Sequence, residues 1–231
     1  MKAHARLTAC FDGKRTFLRE LRSMAPLTLF PRRGGGRTAV VHLVNSATSP
    51  LGGDDLLLSL HVGPGASLRV SGVAATLALP GLHGERSLST VDIVVEPGGS
   101  LEYLPEPTVV TARANHTAVF QAALAPDAYL HTREVLVLGR AGESPGSLTT
   151  SQHVTRGSLP VLRQTLTVGD STLDGSLAVL AGRRVLATDL VVGGPELPAA
   201  SGEWWSRSPL AGGGTLTTSL APDAVTALKP F

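Results

Sequence analysis

Three acidic side chains stand where a carboxylate is costly to keep. Asp54, with Asp55, closes the turn Pro50-Leu51-Gly52-Gly53 and leads into Leu56-Leu57-Leu58-Ser59-Leu60. Glu106 is bracketed by prolines in Leu104-Pro105-Glu106-Pro107, and Glu134 sits midway along a β-like run ahead of Val135-Leu136-Val137-Leu138. A carboxylate entering an apolar strand loses hydration unless something pairs with it. Two arrangements meet that requirement. One is an internal salt bridge, with Arg133, Arg140 or Arg163 as candidate partners. The other is a carboxylate lining a wet channel, where oxygen ligands hold a hard or borderline cation loosely.

Other chemistry is poorly represented. The sequence has no GxSxG elbow, no GxxxxGK[ST] phosphate loop and no GxGxxG opening a βαβ unit. Gly34-Gly35-Gly36 lacks a following helix to aim amides at a phosphate and reads as a surface hairpin. Gly169-Asp170-Ser171 reads as a turn between strands, with Asp and Ser bonding locally. The histidines (His4, His42, His61, His83, His116, His131, His153) include no i, i+4 pair and no HxH pair. Each reads as a solvated or core histidine, although His42 and His61 lie in strand-like stretches that could converge. No catalytic or cofactor-binding residue is expected.

The elements that must position these residues are strands. Leu68 and Val70 alternate with polar neighbours in Ser67–Ser71, and Val91–Val95 and Val161–Val168 read similarly. His131–Leu138 runs from polar into continuous apolar, as a strand entering a core. Thr16–Met24 is the stretch closest to a helical period. A loose echo organises the chain: Val62-Gly63-Pro64-Gly65-Ala66-Ser67-Leu68 recurs as Val95-Glu96-Pro97-Gly98-Gly99-Ser100-Leu101. It recurs again as Leu124-Ala125-Pro126-Asp127-Ala128 and near the end as Leu220-Ala221-Pro222-Asp223-Ala224. Proline followed by Gly or Asp is turn chemistry. The expectation is an all-β chain of stacked β-hairpin units, in a two-layer sandwich or solenoid-like arrangement with few short helices. No domain boundary is evident, so residues 1–231 are expected to form one domain.

Composition narrows the function classes. Of 231 residues, 42% are hydrophobic and 16% charged, which argues against disorder. Apolar runs such as Leu177–Ala181 are far too short to span a bilayer as a helix, so no membrane partner is expected. Twenty basic against 18 acidic residues give a net charge of only +2, and aromatics make up 4%. That balance lacks the basic stripe and stacking partners of nucleic-acid binders. Cys10 stands alone, which excludes an intrachain disulfide, and no leader pattern is evident; a cytoplasmic location is expected. A free-standing β-sandwich or solenoid module for carbohydrate is the competing expectation, with Trp204-Trp205, Tyr103 and Tyr129 as its few aromatic platforms.

The same segments resemble a known family. Leu51-Gly52-Gly53-Asp54-Asp55-Leu56, Val62–Ala66 and Ala74-Ala75-Thr76 are similar, in order, to the opening half of the urease accessory protein UreD family. Pro97-Gly98-Gly99-Ser100-Leu101-Glu102-Tyr103-Leu104-Pro105-Glu106-Pro107 resembles its turn-and-strand signature. Leu124–Ala128, Arg133–Arg140, Leu162-Arg163-Gln164 and Arg184–Thr188 continue the likeness across roughly residues 15 to 228. The chain departs from the family pattern at Leu77-Ala78-Leu79-Pro80-Gly81 and at Ser23–Leu27. The resemblance implies a non-enzymatic scaffold that binds urease apoprotein with UreF and the GTPase UreG. It further implies delivery of nickel through an internal tunnel, the ion being in transit and no cofactor tightly bound. Asp54, Glu106 and Glu134 are the residues it carries over as lining that path.

Overall fold

The computed structural model describes residues 1–33, 36–169 and 174–231. The readings of Gly34-Gly35-Gly36 and Gly169-Asp170-Ser171 as turns therefore fall mostly outside the described residues.

Two sheets face each other. The first contains β1 (Lys2–Phe11), β2 (Thr16–Arg22), β5 (Asp55–Val62), β8 (Ser87–Val95), β11 (Asn115–Leu124), β13 (Ser147–Arg156) and β14 (Leu159–Val168). Their order is β14-β13-β11-β8-β5-β1-β2. The five inner strands are parallel, and both edges are closed by antiparallel neighbours. The second sheet is built on β3 (Leu27–Arg32), β4 (Ala39–Asn45), β6 (Ser67–Gly72), β9 (Ser100–Leu104), β12 (Tyr129–Leu138), β15 (Val185–Val192) and β18 (Thr215–Ala221). Beyond β18 it ends in β17 (Trp205–Pro209) and β16 (Ala200–Gly202). Here β4, β6, β9 and β12 run parallel.

The repeated Pro turn explains this topology. Each copy is a corner that carries the chain from one sheet to the other, so β5 leads to β6, β8 to β9 and β11 to β12. The strands of one unit pair with those of the next unit rather than with each other. This is the expected solenoid-like stacking. The corners stack through backbone bonds, Glu96 N–H to Val62 O, Ala125 N–H to Val95 O and Gly65 N–H to Pro97 O, at 2.9, 2.9 and 3.0 Å. Gly65 and Gly98 take φ of 65° and 66° there, a conformation glycine adopts without Cβ strain. The fourth echo differs: Asp223 caps the helix α1 (Ala224–Ala227), its carboxylate accepting from the Thr226 N–H at 2.8 Å. Thr16–Met24 is likewise extended, as β2 and a bridge to Leu27, because pairing with β1 overrides its weak helical period.

Alternation places Leu7, Leu60, Ile93, Leu68, Leu101 and Leu130 between the sheets, all at most 1% exposed. The second sheet does not pair continuously. Strand β12 pairs with β9 over Tyr129–Thr132, then with β10 (Thr108–Val110) over Leu136–Leu138. On that side Arg133, Glu134 and Val135 face Pro105-Glu106-Pro107, whose prolines have no N–H to offer the ladder. The previous coil breaks at the same level, between β6 and β7 (Thr76–Ala78). Gly72 ends β6 so tightly against this segment that a Cβ would lie 2.5 Å from the Glu106 nitrogen. Gly72→Ala is therefore expected to cost about 1–3 kcal/mol by forcing the Glu106 segment outward; an unchanged urea midpoint would contradict that close approach.

Candidate functional site

The break opens onto a cavity of about 160 Å³ between the sheets, room for several waters. The first sheet contributes Ser89 and Val91 of β8, His116 and Phe120 of β11, and Gln152 of β13. From the second sheet come Tyr103, Glu106, Thr108, Thr132 and Glu134, while Asn45 and Pro50 flank them.

Glu134 is half-buried and faces this space. Its carboxylate accepts from the Thr150 hydroxyl at 2.8 Å and the Gln152 amide at 3.0 Å, both reaching over from β13. Burial raises its pKa, against the lowering effect of those two bonds. Tyr103, 7% exposed, has its phenol pushed up by burial and then by the Glu134 charge. None of the candidate arginines pairs with Glu134. Arg133 borders the cavity but bonds Asp189 at 2.8 Å, Arg140 binds Glu143 at 2.9 Å, and Arg163 is exposed on the outside of the first sheet. Of the two arrangements the sequence allowed, Glu134 takes the second, a carboxylate lining a cavity, whereas the buried Asp54 takes the first, with the Met1 amino group as its partner.

Glu106 stands exposed at the break, lining the same cavity. Asp54 occupies a different position. It is 4% exposed, Oδ1 receives a hydrogen bond from the Met1 amino group, and Oδ2 accepts from Ser49 Oγ and the Leu51 N–H, both at 2.8 Å. Burial pushes its carboxyl up, but the Met1 ammonium, the Leu51 N–H and the Ser49 hydroxyl outweigh this and hold it below its usual value. Those bonds clamp the turn around Pro50, so Asp54 shapes a wall of the cavity without lining it. Among the described residues, no group of three or more His, Cys, Asp or Glu could enclose a metal ion.

His42 and His61 do not converge: His42 bonds Ser71 on the outside of the second sheet, and His61 bonds Glu96 on the outside of the first. The residue sequence reasoning passed over is His116. It is 3% exposed, and its Nδ1 lies 2.8 Å from the hydroxyl of Ser87, itself fully buried. Counting back in twos from the apolar Leu124 and Ala122 through Phe120 and Ala118 puts His116 on the inner face, a signal the sequence did contain. Burial lowers its pKa to about 4, against a raising contact with the Ser87 backbone. The imidazole is neutral at neutral pH.

Each of the adjacent tryptophans has an arginine beside its ring. The Arg183 guanidinium lies 3.9 Å from the Trp204 ring centroid, and Arg207 lies 5.6 Å from that of Trp205.

The His116 shift has a measurable consequence. Its folded value of about 4 lies below the unfolded 6.5, so between those limits the unfolded chain holds the extra proton. Stability conferred by the neutral ring is complete above about pH 6.5 and lost as pH falls toward 4, a change of up to ~3 kcal/mol. Glu134 works in the opposite sense, its raised pKa favouring the fold at low pH. His116→Gln should flatten the acid side of the stability curve. Parallel urea-midpoint curves for the two proteins between about pH 7 and about pH 4.5 would refute the assignment.

Residues 1–228 match the family profile of the UreD urease accessory protein. The chain is 56% identical over 232 positions to Urease accessory protein UreD 1 of Saccharopolyspora erythraea, an alignment covering 98% of this chain and 91% of that protein. It is 40% identical to Urease accessory protein UreD of Parafrankia sp., over 97% of this chain and 84% of that one. With the same protein of Streptomyces coelicolor it shares 39% identity, over 97% and 92% of the two chains. A profile match over nearly the whole chain and relatives at this identity place it without ambiguity: the chain belongs to the UreD family of urease accessory proteins.

Proposed function

We propose that this chain is a non-catalytic scaffold of urease maturation. It binds urease apoprotein together with UreF and the GTPase UreG, in the cytoplasm, and helps deliver nickel to the urease active site through the cavity between its sheets. The observation that carries this reading is Glu134, a carboxylate facing an internal space whose hydrogen-bond donors are neutral, the neighbouring Arg133 being engaged with Asp189 instead. A resident counter-cation in the protein would neutralise that charge; neutral donors leave it able to attract a mobile cation. Oxygen donors bind borderline cations weakly enough to release them, unlike a closed cage of thiolates and imidazoles.

Glu106, exposed where the Pro-flanked segment interrupts the ladder, serves as the entry carboxylate, and Glu134 as the next one inward. Asp54, named by the sequence among the path residues, acts by holding the Pro50 turn. GTP belongs to the partner, since this chain carries no phosphate loop.

In a host lacking this gene, urease protein should accumulate without nickel or activity, and the wild-type gene should restore both. Glu134→Gln should restore complex formation but only a small fraction of the nickel content. Asp54→Ala should instead lower stability by about 1–3 kcal/mol, because Ser49 and the Leu51 N–H lose their acceptor. Full urease nickel loading by Glu134→Gln would remove the carboxylate path from the account, and full loading in the deletion host would remove the maturation role itself.

A further inference from the structure

His116 is the one histidine of the cavity wall and its ring is only half committed. Nδ1 is held by Ser87 Oγ, and Nε2 has no hydrogen-bond partner among the described residues. Yet no buried side-chain nitrogen or oxygen among those residues lacks a partner. Nε2 therefore borders open space, and the cavity is the space His116 lines. A ring 3% exposed, fixed at one nitrogen and open at the other, is arranged as metal-ligating histidines usually are.

Its position relative to Glu134 follows from strand register. Thr150 donates to Glu134 and pairs with Ala118 on β11. His116 is two residues before Ala118 on the same face, about 7 Å along the strand at ~3.3 Å per residue. The two groups are thus successive stations on one cavity rather than ligands of one closed site, in keeping with the lack of a three-residue cluster among the described residues.

We propose that His116 is the selectivity element of this cavity, its Nε2 giving first-row cations that favour imidazole, nickel among them, an advantage over Mg²⁺ and Ca²⁺. This rests on the reading of the cavity as a cation path. Carboxylates and hydroxyls alone favour the hard ions, which are far more abundant in a cell; an imidazole nitrogen is what separates Ni²⁺ from them. Ser87 Oγ donates to the Asn115 carbonyl at 3.4 Å, which leaves it to accept from the His116 Nδ1–H and puts the free lone pair on Nε2. Ser87 fixes which nitrogen faces inward and is a positioning residue.

The test is Ni²⁺ binding by the full chain, by competition with a chromophoric chelator and by X-ray absorption at the nickel edge, with Mg²⁺ as competitor. Wild type should bind Ni²⁺ weakly, with one imidazole in the metal's shell and little loss to millimolar-range Mg²⁺. His116→Gln should lose the imidazole signature and at least about tenfold in Ni²⁺ affinity, and its remaining binding should yield to Mg²⁺. Ser87→Ala, which keeps the ring but frees it, should weaken Ni²⁺ roughly 10–100-fold. Circular-dichroism melts establish that each variant is folded, and Ser87→Ala carries the test if His116→Gln is not. An oxygen-only shell in the wild type, or variants that bind Ni²⁺ as the wild type does, would overturn the proposal. Neither result touches the maturation role, which fails separately if the wild-type gene is not needed for urease nickel loading in the host.

Discussion

Everything in the interior depends on a missing hydrogen-bond donor. Pro105 and Pro107 cannot supply N–H groups to β12, so a parallel ladder that runs through β9 stops and resumes only at β10. The three residues of β12 at that level keep their pairing to β15 on the other side, so the strand continues while its neighbour leaves. A local loss of pairing thus leaves a gap in the ladder beside Glu106 and Glu134, both of which line the cavity. The polar residues behind it are tolerated because they bond one another, Thr150 and Gln152 to Glu134 and Ser87 to His116.

The apolar packing to either side gives this polar band its rigidity. One cluster is built on Leu60, Ile93, Leu101 and Leu130 at the corner end, and another on Val110, Leu136, Leu148 and Val168 at the opposite end. Thr150 and Gln152 bridge the sheets by reaching Glu134, so the cavity is spanned by hydrogen bonds rather than collapsed by side-chain packing. On the outer face of the second sheet, Val135, Val185, Ala187 and Ala221 pack under Ala227 of α1. Consecutive residues of β12 therefore serve different purposes: Glu134 lines the interior, while Arg133 binds Asp189 outside.

Much of this was legible in the residues. The echoed Pro turns specified repeating units, and alternation in Ser67–Ser71 specified which side chains face inward. What could not be read was that each turn changes sheets, because a Pro-Gly turn is compatible with a hairpin and with a corner alike; the difference lies in which distant strand supplies the hydrogen bonds. Glu106 and Glu134 could be singled out because carboxylates beside prolines and in apolar strands are anomalous locally. Asp54 has the same local anomaly, but its partners, Ser49 and the Met1 amino group, are visible only once the chain is folded. His116 fails in the converse way. Its neighbours Asn115 and Thr117 are polar, so nothing nearby marks it as buried; only the phase of the strand several residues later does.

The stacked corners also govern how such a chain can fold. Strand β5 pairs with β1 and β8, and β8 with β5 and β11, so each inner strand finds its partners a whole coil away in the sequence. Parallel pairing of this kind closes a long loop before any contact repays the lost entropy, which puts the protein among slow-folding topologies. While the coils are still stacking, the last strand added presents an open edge able to accept a strand from another molecule. Assembly of this chain is thus a race between closing its own last coil and recruiting a neighbour's, and the concentration at which it is synthesised helps decide the outcome.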